Sequence, residues 1–438
     1  MEKNNPKTLW AWCMYDWANS TYSLTVTSAI FPLYFLSIAV NSVGEGKISF
    51  LGWENMPNGA VYAYLYSFSA LLIAVLNPMI GSIADATGKH KTFMRFFCYL
   101  GVACCFSLFF AKTEYLSFTM LVFMVSSVAY SCSIVFCNSL LPMIASPDKF
   151  EEVSARGFTL GYIGGVLMLA LNLLMIQMPA LFGFSSVDVQ ASLPIRVSFV
   201  LVGLWWWVFA EYAFYFLPNR NTDLPASPIQ ENVFTRGYTE LLKTGKALWQ
   251  MPSLRVFMFS FFFYNMGLMT IMGLASVFGK EEIKLPSEDL ILIILLLQIV
   301  GALGAWSFGI LSKRIGNLPT LQMGVICWIF ICVYAYTVTT RTQFYVLAMS
   351  VGLVMGGLQA LSRAGFALLL PKDNTDNASF FGFYDTMNQI GTVLGTFLYG
   401  FIHFYTGSMR NSILFLASFF LVGLIGLYML RRVLKATY

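Results

Sequence analysis

This sequence predicts an all-α membrane protein: twelve transmembrane helices in two six-helix bundles, with both termini cytoplasmic. Three observations carry that prediction. Of the 438 residues 58% are hydrophobic and only 11% charged, whereas a soluble domain carries about 25% charged residues. Apolar runs of about 20 residues, the length at which a helix spans the hydrocarbon core, recur along the whole chain. The longest interruption between them divides the runs six and six.

The runs lie near 10–39, 60–83, 93–111, 116–142, 157–179, 195–217, 254–278, 289–311, 319–339, 343–369, 379–404 and 411–431. The polar start, Met1 to Thr8, is short, and the run after it is too long for a cleaved leader. It is therefore taken as the first membrane helix. The chain thus divides into 1–217, a linker 218–252 and 253–438. Within the linker, Phe234, Tyr238, Leu241, Gly245 and Leu248 recur at helical spacing with Arg236, Lys243 and Lys246 between them. That pattern predicts an amphipathic helix lying on the inner membrane surface.

Lys and Arg set the orientation, because cytoplasmic loops carry the excess. With the N-terminus inside, 19 of the 26 Lys and Arg residues fall in inner segments. The short loop Gly81-Ser82-Ile83-Ala84-Asp85-Ala86-Thr87-Gly88-Lys89-His90-Lys91 is one of these. Gly81 and Gly88 permit a tight reversal, Asp85 is placed to tie adjacent helix ends together, and Lys89 and Lys91 mark the inner side. The segment Gly309 to Gly316 repeats the pattern between the eighth and ninth runs, with Lys313 at the aspartate position.

Composition also excludes function classes. The net charge of +5 is spread over loops, and no basic stripe with interleaved aromatics indicates nucleic-acid binding. The eight cysteines lie mostly inside apolar runs without metal-ligand spacing, and two histidines are too few for a histidine-built metal centre. No nucleophile–base pair or phosphate loop marks an enzyme. No cofactor is implied beyond a coupling proton or sodium. The expected partners are a small-molecule substrate and the lipid bilayer, the chain acting as a monomer in the inner membrane if it is bacterial.

A carboxylate in a membrane helix costs several kcal/mol unless paired or hydrated, so each is a functional candidate. Three stand out: Asp16, Glu211 and Asp385. Asn19 and Ser20 lie at i+3 and i+4 from Asp16 and share its helical face. That face suits a cation, a proton or a substrate amino group; the alternative is a helix-end carboxylate bonded to a neighbouring helix. Asp385 is followed by Asn388 and Gln389, with a dipole-favoured charge near a helix start as its alternative. Glu211, near a helix exit behind Trp205, Trp206 and Trp207, reads as structural. Asn138, Tyr264, Asn265, Gln298 and Gln359 add neutral polar groups. Arg363 is either a clamp for a substrate carboxylate or the structural partner of an inner-loop acid. The pairs Gly161/Gly165, Gly352/Gly356 and Gly391/Gly395 permit close helix approach.

The loop from Gly81 to Lys91, with Asp four residues after Gly and then Gly with basic residues, resembles the loop signature of the major facilitator superfamily. Further stretches resemble one branch of it, the branch of the fungal vacuolar amino-acid effluxer linked to autophagy and its bacterial relatives. They are Tyr15-Asp16-Trp17-Ala18-Asn19-Ser20, Phe136-Cys137-Asn138-Ser139-Leu140-Leu141-Pro142, and Ser154-Ala155-Arg156-Gly157 with Gly161-Tyr162-Ile163-Gly164-Gly165. Trp205-Trp206, Gly356-Gly357-Leu358-Gln359-Ala360-Leu361-Ser362-Arg363 and Phe380-Phe381-Gly382-Phe383-Tyr384 complete the set. The resemblance implies the twelve-helix facilitator fold and, for the fungal member, amino-acid export from the vacuole. The chain departs from the pattern at Met266, where relatives often have Asp, and in lacking a Lys near Gln389.

These readings converge on a secondary transporter that moves a small polar solute, amino acids first, by alternating access and in the direction of efflux. Asp16 with Asn19 and Ser20 forms the expected substrate or coupling-ion site. Asn138, Tyr264, Asn265, Gln359, Arg363, Asp385 and Gln389 are expected to line the same cavity. The competing expectations are a non-transporting receptor or scaffold on the same fold, and a lipid or drug exporter.

Overall fold

A computed structural model of the chain describes residues 3–43, 47–50, 53–218, 233–371, 376–406 and 408–437. Arg220 and Lys372, both counted above as inner charges, lie outside the described residues. The first run forms α1 (Pro6–Thr21), a π-helical stretch (Tyr22–Ile30) and α2 (Phe31–Val43) without a break. Pro32 offers no N–H and its ring crowds the carbonyl four residues back. The wider i→i+5 turns just ahead of it relieve that conflict.

A two-stranded hairpin, β1 (Lys47–Phe50) with β2 (Trp53–Pro57), follows in a stretch where the sequence predicts no element. The helices then run α3 (Asn58–Thr87), α4 (His90–Ser107), α5 (Leu116–Ile144), α6 (Phe150–Gln177), the short α7 (Ser186–Gln190) and α8 (Leu193–Phe216). The linker contributes α9 (Val233–Gln250), and α10 (Pro252–Glu281), α11 (Ser287–Ile315), α12 (Asn317–Thr337), α13 (Arg341–Leu369), α14 (Asn377–Thr406) and α15 (Met409–Thr437) complete the chain.

Each of the twelve predicted runs is helical. Among the described residues, eleven spans are long and apolar enough to cross a membrane. The run at 379–404 is helical as α14 but is not one of them, because Asp385, Asn388, Gln389, Thr392 and Thr396 lower its hydropathy. α9 is the predicted linker helix. It rests on α3, α10 and α14, burying Thr244 and Leu248 and leaving Leu242 and Trp249 exposed. The side chains of Phe234, Tyr238 and Leu241 lie outside the described residues.

α1 packs on α6 and α8, and α4 on α5 and α8. α10 packs on α15 and α14, and α11 and α12 on α13. Contact between these two groups runs through α3 with α14, α5 with α14 and α13, and α6 with α11 and α13. The predicted glycine pairs serve packing: a methyl on Gly161 would meet Ser20 Oγ at 2.5 Å, one on Gly356 the Gly301 carbonyl at 2.0 Å, and one on Gly395 Thr270 Oγ1 at 2.1 Å.

Candidate functional site

The densest polar constellation forms where α1, α5, α6 and α13 meet. Arg363 of α13 reaches into the opposing group of helices and is buried there, 4% exposed, beside Asp16 at 8%. Its Nη2 donates to Asp16 Oδ2 at 2.9 Å and to the Ser154 carbonyl at 3.0 Å. Its Nε donates to Ser154 Oγ at 2.9 Å and its Nη1 to Asn138 Oδ1 at 3.2 Å. The rings of Trp12 and Phe158 lie 4.5 and 4.3 Å from the guanidinium carbon, a geometry that stabilises a desolvated cation.

Trp12 is held by its own bond from Nε1 to the Cys137 carbonyl at 2.6 Å. Gly157 makes room for all of this. A methyl there would sit 2.3 Å from Asp16 Oδ2 and 2.9 Å from Arg363 Nη2. Asp16 and Ser20 do share a face, which looks onto Gly157 and Gly161 of α6. Of the two roles predicted for Arg363, the structure shows a buried partnership with an acid. The acid is Asp16 in a helix, not one in an inner loop.

The Gly81–Lys91 segment, expected as a loop, is the end of α3 and the start of α4 with only Gly88 and Lys89 between them, and it makes a second connection. Asp85 accepts from the backbone N–H of Ala378 (3.1 Å) and Ser379 (2.7 Å) and from Ser379 Oγ (2.7 Å). These are orphan donors of the first turn of α14, so Asp85 caps that helix from across the interface, where the helix dipole favours negative charge. His90 Nε2 bonds the same carboxylate at 2.6 Å. Gly81 is needed because a methyl would lie 2.6 Å from the Ala378 carbonyl. Gly88 takes a left-handed φ of 67°. Lys91 Nζ donates to the Leu217 carbonyl at 2.7 Å, and Lys89 precedes the first residue of α4.

The related segment Gly309–Gly316, at the end of α11, connects to the other group through an ion pair. Lys313, standing where the first copy has its acid, meets Glu152 in the first turn of α6 at 2.8 Å. Both partners are partly exposed, so this ion pair contributes little to stability.

A third cluster surrounds Asp385. Its Oδ2 accepts from Asn77 Nδ2 (2.6 Å), Ser131 Oγ (2.8 Å) and Gln389 Nε2 (3.4 Å). Asn77 is itself anchored by Cys132, whose Sγ donates to Asn77 Oδ1 at 3.1 Å.

The remaining predicted residues pair elsewhere. Tyr264 pairs with Ser362 at 2.8 Å, Asn265 donates to Asn388 at 2.7 Å, and Gln359 accepts from Tyr162. Asn19 is buried, and its Nδ2 has no partner among the described residues. Gln298 makes no part of these clusters. Glu211, expected to be structural, takes the hydroxyl of Tyr99 and faces Arg95 at 3.5 Å. Met266 packs against Gly391 and Gly395 of α14.

Sequence reasoning missed Trp12, Ser154 and Phe158 around Arg363, and Asn77 and Ser131 around Asp385. Asn77, a lone amide within an apolar run, carried a readable signal. Ser131, Trp12 and Phe158 carried none, because serines and aromatics are common in such helices.

Comparison with known proteins accords with this architecture. Residues 4–436 match the model of the family described as "Vacuole effluxer Atg22 like". An uncharacterized MFS-type transporter of Bacillus subtilis (strain 168), YxiO, is 31% identical over 415 residues, covering 95% of this chain and 92% of that one. Autophagy-related protein 22 of Saccharomyces cerevisiae (strain ATCC 204508 / S288c) is 23% identical over 495 residues, covering 97% and 90%. Among solved structures, the human organic anion transporter MFSD10 superposes with a TM-score of 0.73 at 13% identity, over 97% of this chain and 100% of that one. The MFS transporter FucP in its outward conformation gives 0.68 at 13% identity, over 98% and 99%. These relatives are transporters and not enzymes, and the apolar helices make this an integral, multi-pass membrane protein. The chain belongs to the Atg22-like branch of the major facilitator superfamily of transporters.

Proposed function

We propose that this chain is a secondary transporter that exports a small polar solute, amino acids first, by alternating access. Segments 1–217 and 253–438 are the two moving six-helix bodies, 218–252 joins them, α14 is the twelfth crossing, and both termini face the cytoplasm. One observation carries the reading. Arg363 leaves its own group of helices and takes hydrogen bonds to α1, α5 and α6 of the other. The contacts are polar and directional, and a solute of the right charge can replace them.

An amino acid is such a solute. Its ammonium group matches Asp16 and its carboxylate matches the planar fork of Arg363. Inserting it exchanges one buried ion pair for two, without leaving either charge uncompensated. The family description, with its word effluxer, supports the outward direction.

Ser82 and Ser379 give a direct test, since their Oγ atoms lie 3.1 Å apart across the interface. The expected outcome for Ser82→Cys with Ser379→Cys is a cross-link that abolishes amino-acid flux in liposomes and a reductant that restores it. Undiminished flux through the cross-linked protein removes alternating access at this end.

A further inference from the structure

Resting on the transport reading, we infer that Asp385 is the proton-carrying carboxylate of this transporter, and that proton movement through it is exchanged for solute. Asp16 is ill suited to that task, because its charge is already met by Arg363 at 2.9 Å. Asp385 has the opposite environment. Its hydrogen-bond partners are neutral, the hydroxyl of Ser131 and the amides of Asn77, Gln389 and Asn388, and no described Lys, Arg or His pairs with it.

The titratable groups facing Asp385 are neutral ones: Tyr130 and Cys132 from α5 and Tyr384 from its own helix. From α3 comes Asn77. α10 presents Asn265, which bonds Asn388 one turn along α14. An acid enclosed this way gains no ionic partner from the protein, so a proton is the charge that neutralises it. The residue retains some accessible surface, which a proton needs to arrive and leave.

The placement of the donors couples protonation to motion. Asn77 and Ser131 sit on α3 and α5, whereas Asp385 and Gln389 sit on α14. Separating the two bodies removes the Asn77 and Ser131 donors but puts bulk water in their place, and water solvates the ionised carboxylate more fully than the enclosed site does. Exclusion of water in the closed arrangement therefore favours the protonated acid, and opening at the terminal end releases the proton there. By linkage, proton binding shifts the equilibrium of the two bodies by the same factor that their separation shifts proton affinity. With the termini inside, a proton released inward and a solute loaded inward make an antiporter, in keeping with export.

The test is an infrared pH titration of the full-length purified protein in lipid. It follows the C=O band of protonated carboxyl groups and needs no substrate. The expected result is a titrating band that persists in Asp16→Asn, is lost in Asp385→Asn and returns shifted in Asp385→Glu. Thermal unfolding of each variant checks that it is folded. A band unchanged in folded Asp385→Asn, or no titrating band in the wild type, overturns the inference. So does loss of the band on adding sodium chloride at fixed pH, which makes the site a sodium site. A titrating Asp385 in a protein that moves no amino acid fails the transport reading alone, whereas amino-acid flux without a titrating Asp385 fails the proton site alone.

Discussion

Arg363 shows how one side chain sets what a membrane interior tolerates. A guanidinium buried without partners would be driven out of the protein, yet here four N–H donations and two aromatic faces enclose it. Removing one member of a buried pair leaves the other charge uncompensated, at a cost of about 3–5 kcal/mol, while removing both is far milder. Asp16→Asn and Arg363→Gln are each expected to destabilise the protein by about that much, and the double variant by less than the sum. Denaturant unfolding in detergent, read as a double-mutant cycle, measures the coupling. Strictly additive losses would show that the two residues do not act as a pair. Sequence alone marked Asp16, Asn138 and Arg363 as costly in lipid, but their union joins positions far apart in the chain, and no local spacing encodes it.

At the level of elements, the start of α14 is the informative case. A helix start leaves backbone donors unsatisfied, and here the carboxylate of Asp85 supplies acceptors for two of them from another helix. Asp85→Ala is expected to cost about 1–2 kcal/mol, the usual loss for a missing cap. It should also speed amide hydrogen exchange at Ala378 and Ser379, measured by mass spectrometry. Unchanged protection there would show that the cap contributes nothing. The tying role of Asp85 was legible from the Gly–Asp–Gly spacing of its loop, but its partner was not. The repeat at Gly309–Gly316 was legible too, and its Lys313 proves to answer an acid, Glu152, where the first copy answers a helix end.

For the molecule as a whole, the question is parity. Eleven apolar spans would place the termini on opposite sides of the membrane, and α14 as a twelfth places them together. The lower hydropathy of α14 has a local cause, since the polar groups that disqualify it include Asp385 and Gln389 of the proposed proton site. Reporter fusions at the two termini are expected to report the same, cytoplasmic side. Reporters on opposite sides would return α14 to the membrane surface, and with it the six-plus-six division.

The sequence by itself determined that the chain lives in a bilayer, roughly where its long helices run, and which polar residues are out of place in lipid. It could do so because helix length, apolar run and loop charge are local properties, each read within a few turns of chain. Only the tertiary structure decided which of those polar residues meet. Asp16 goes to Arg363 and Asp385 goes to Asn77 and Ser131, so the polar residues that sequence reading gathers together form two hydrogen-bonded clusters. The physical reason is that both partnerships form across the seam between helix groups, where packing geometry brings together side chains hundreds of residues apart.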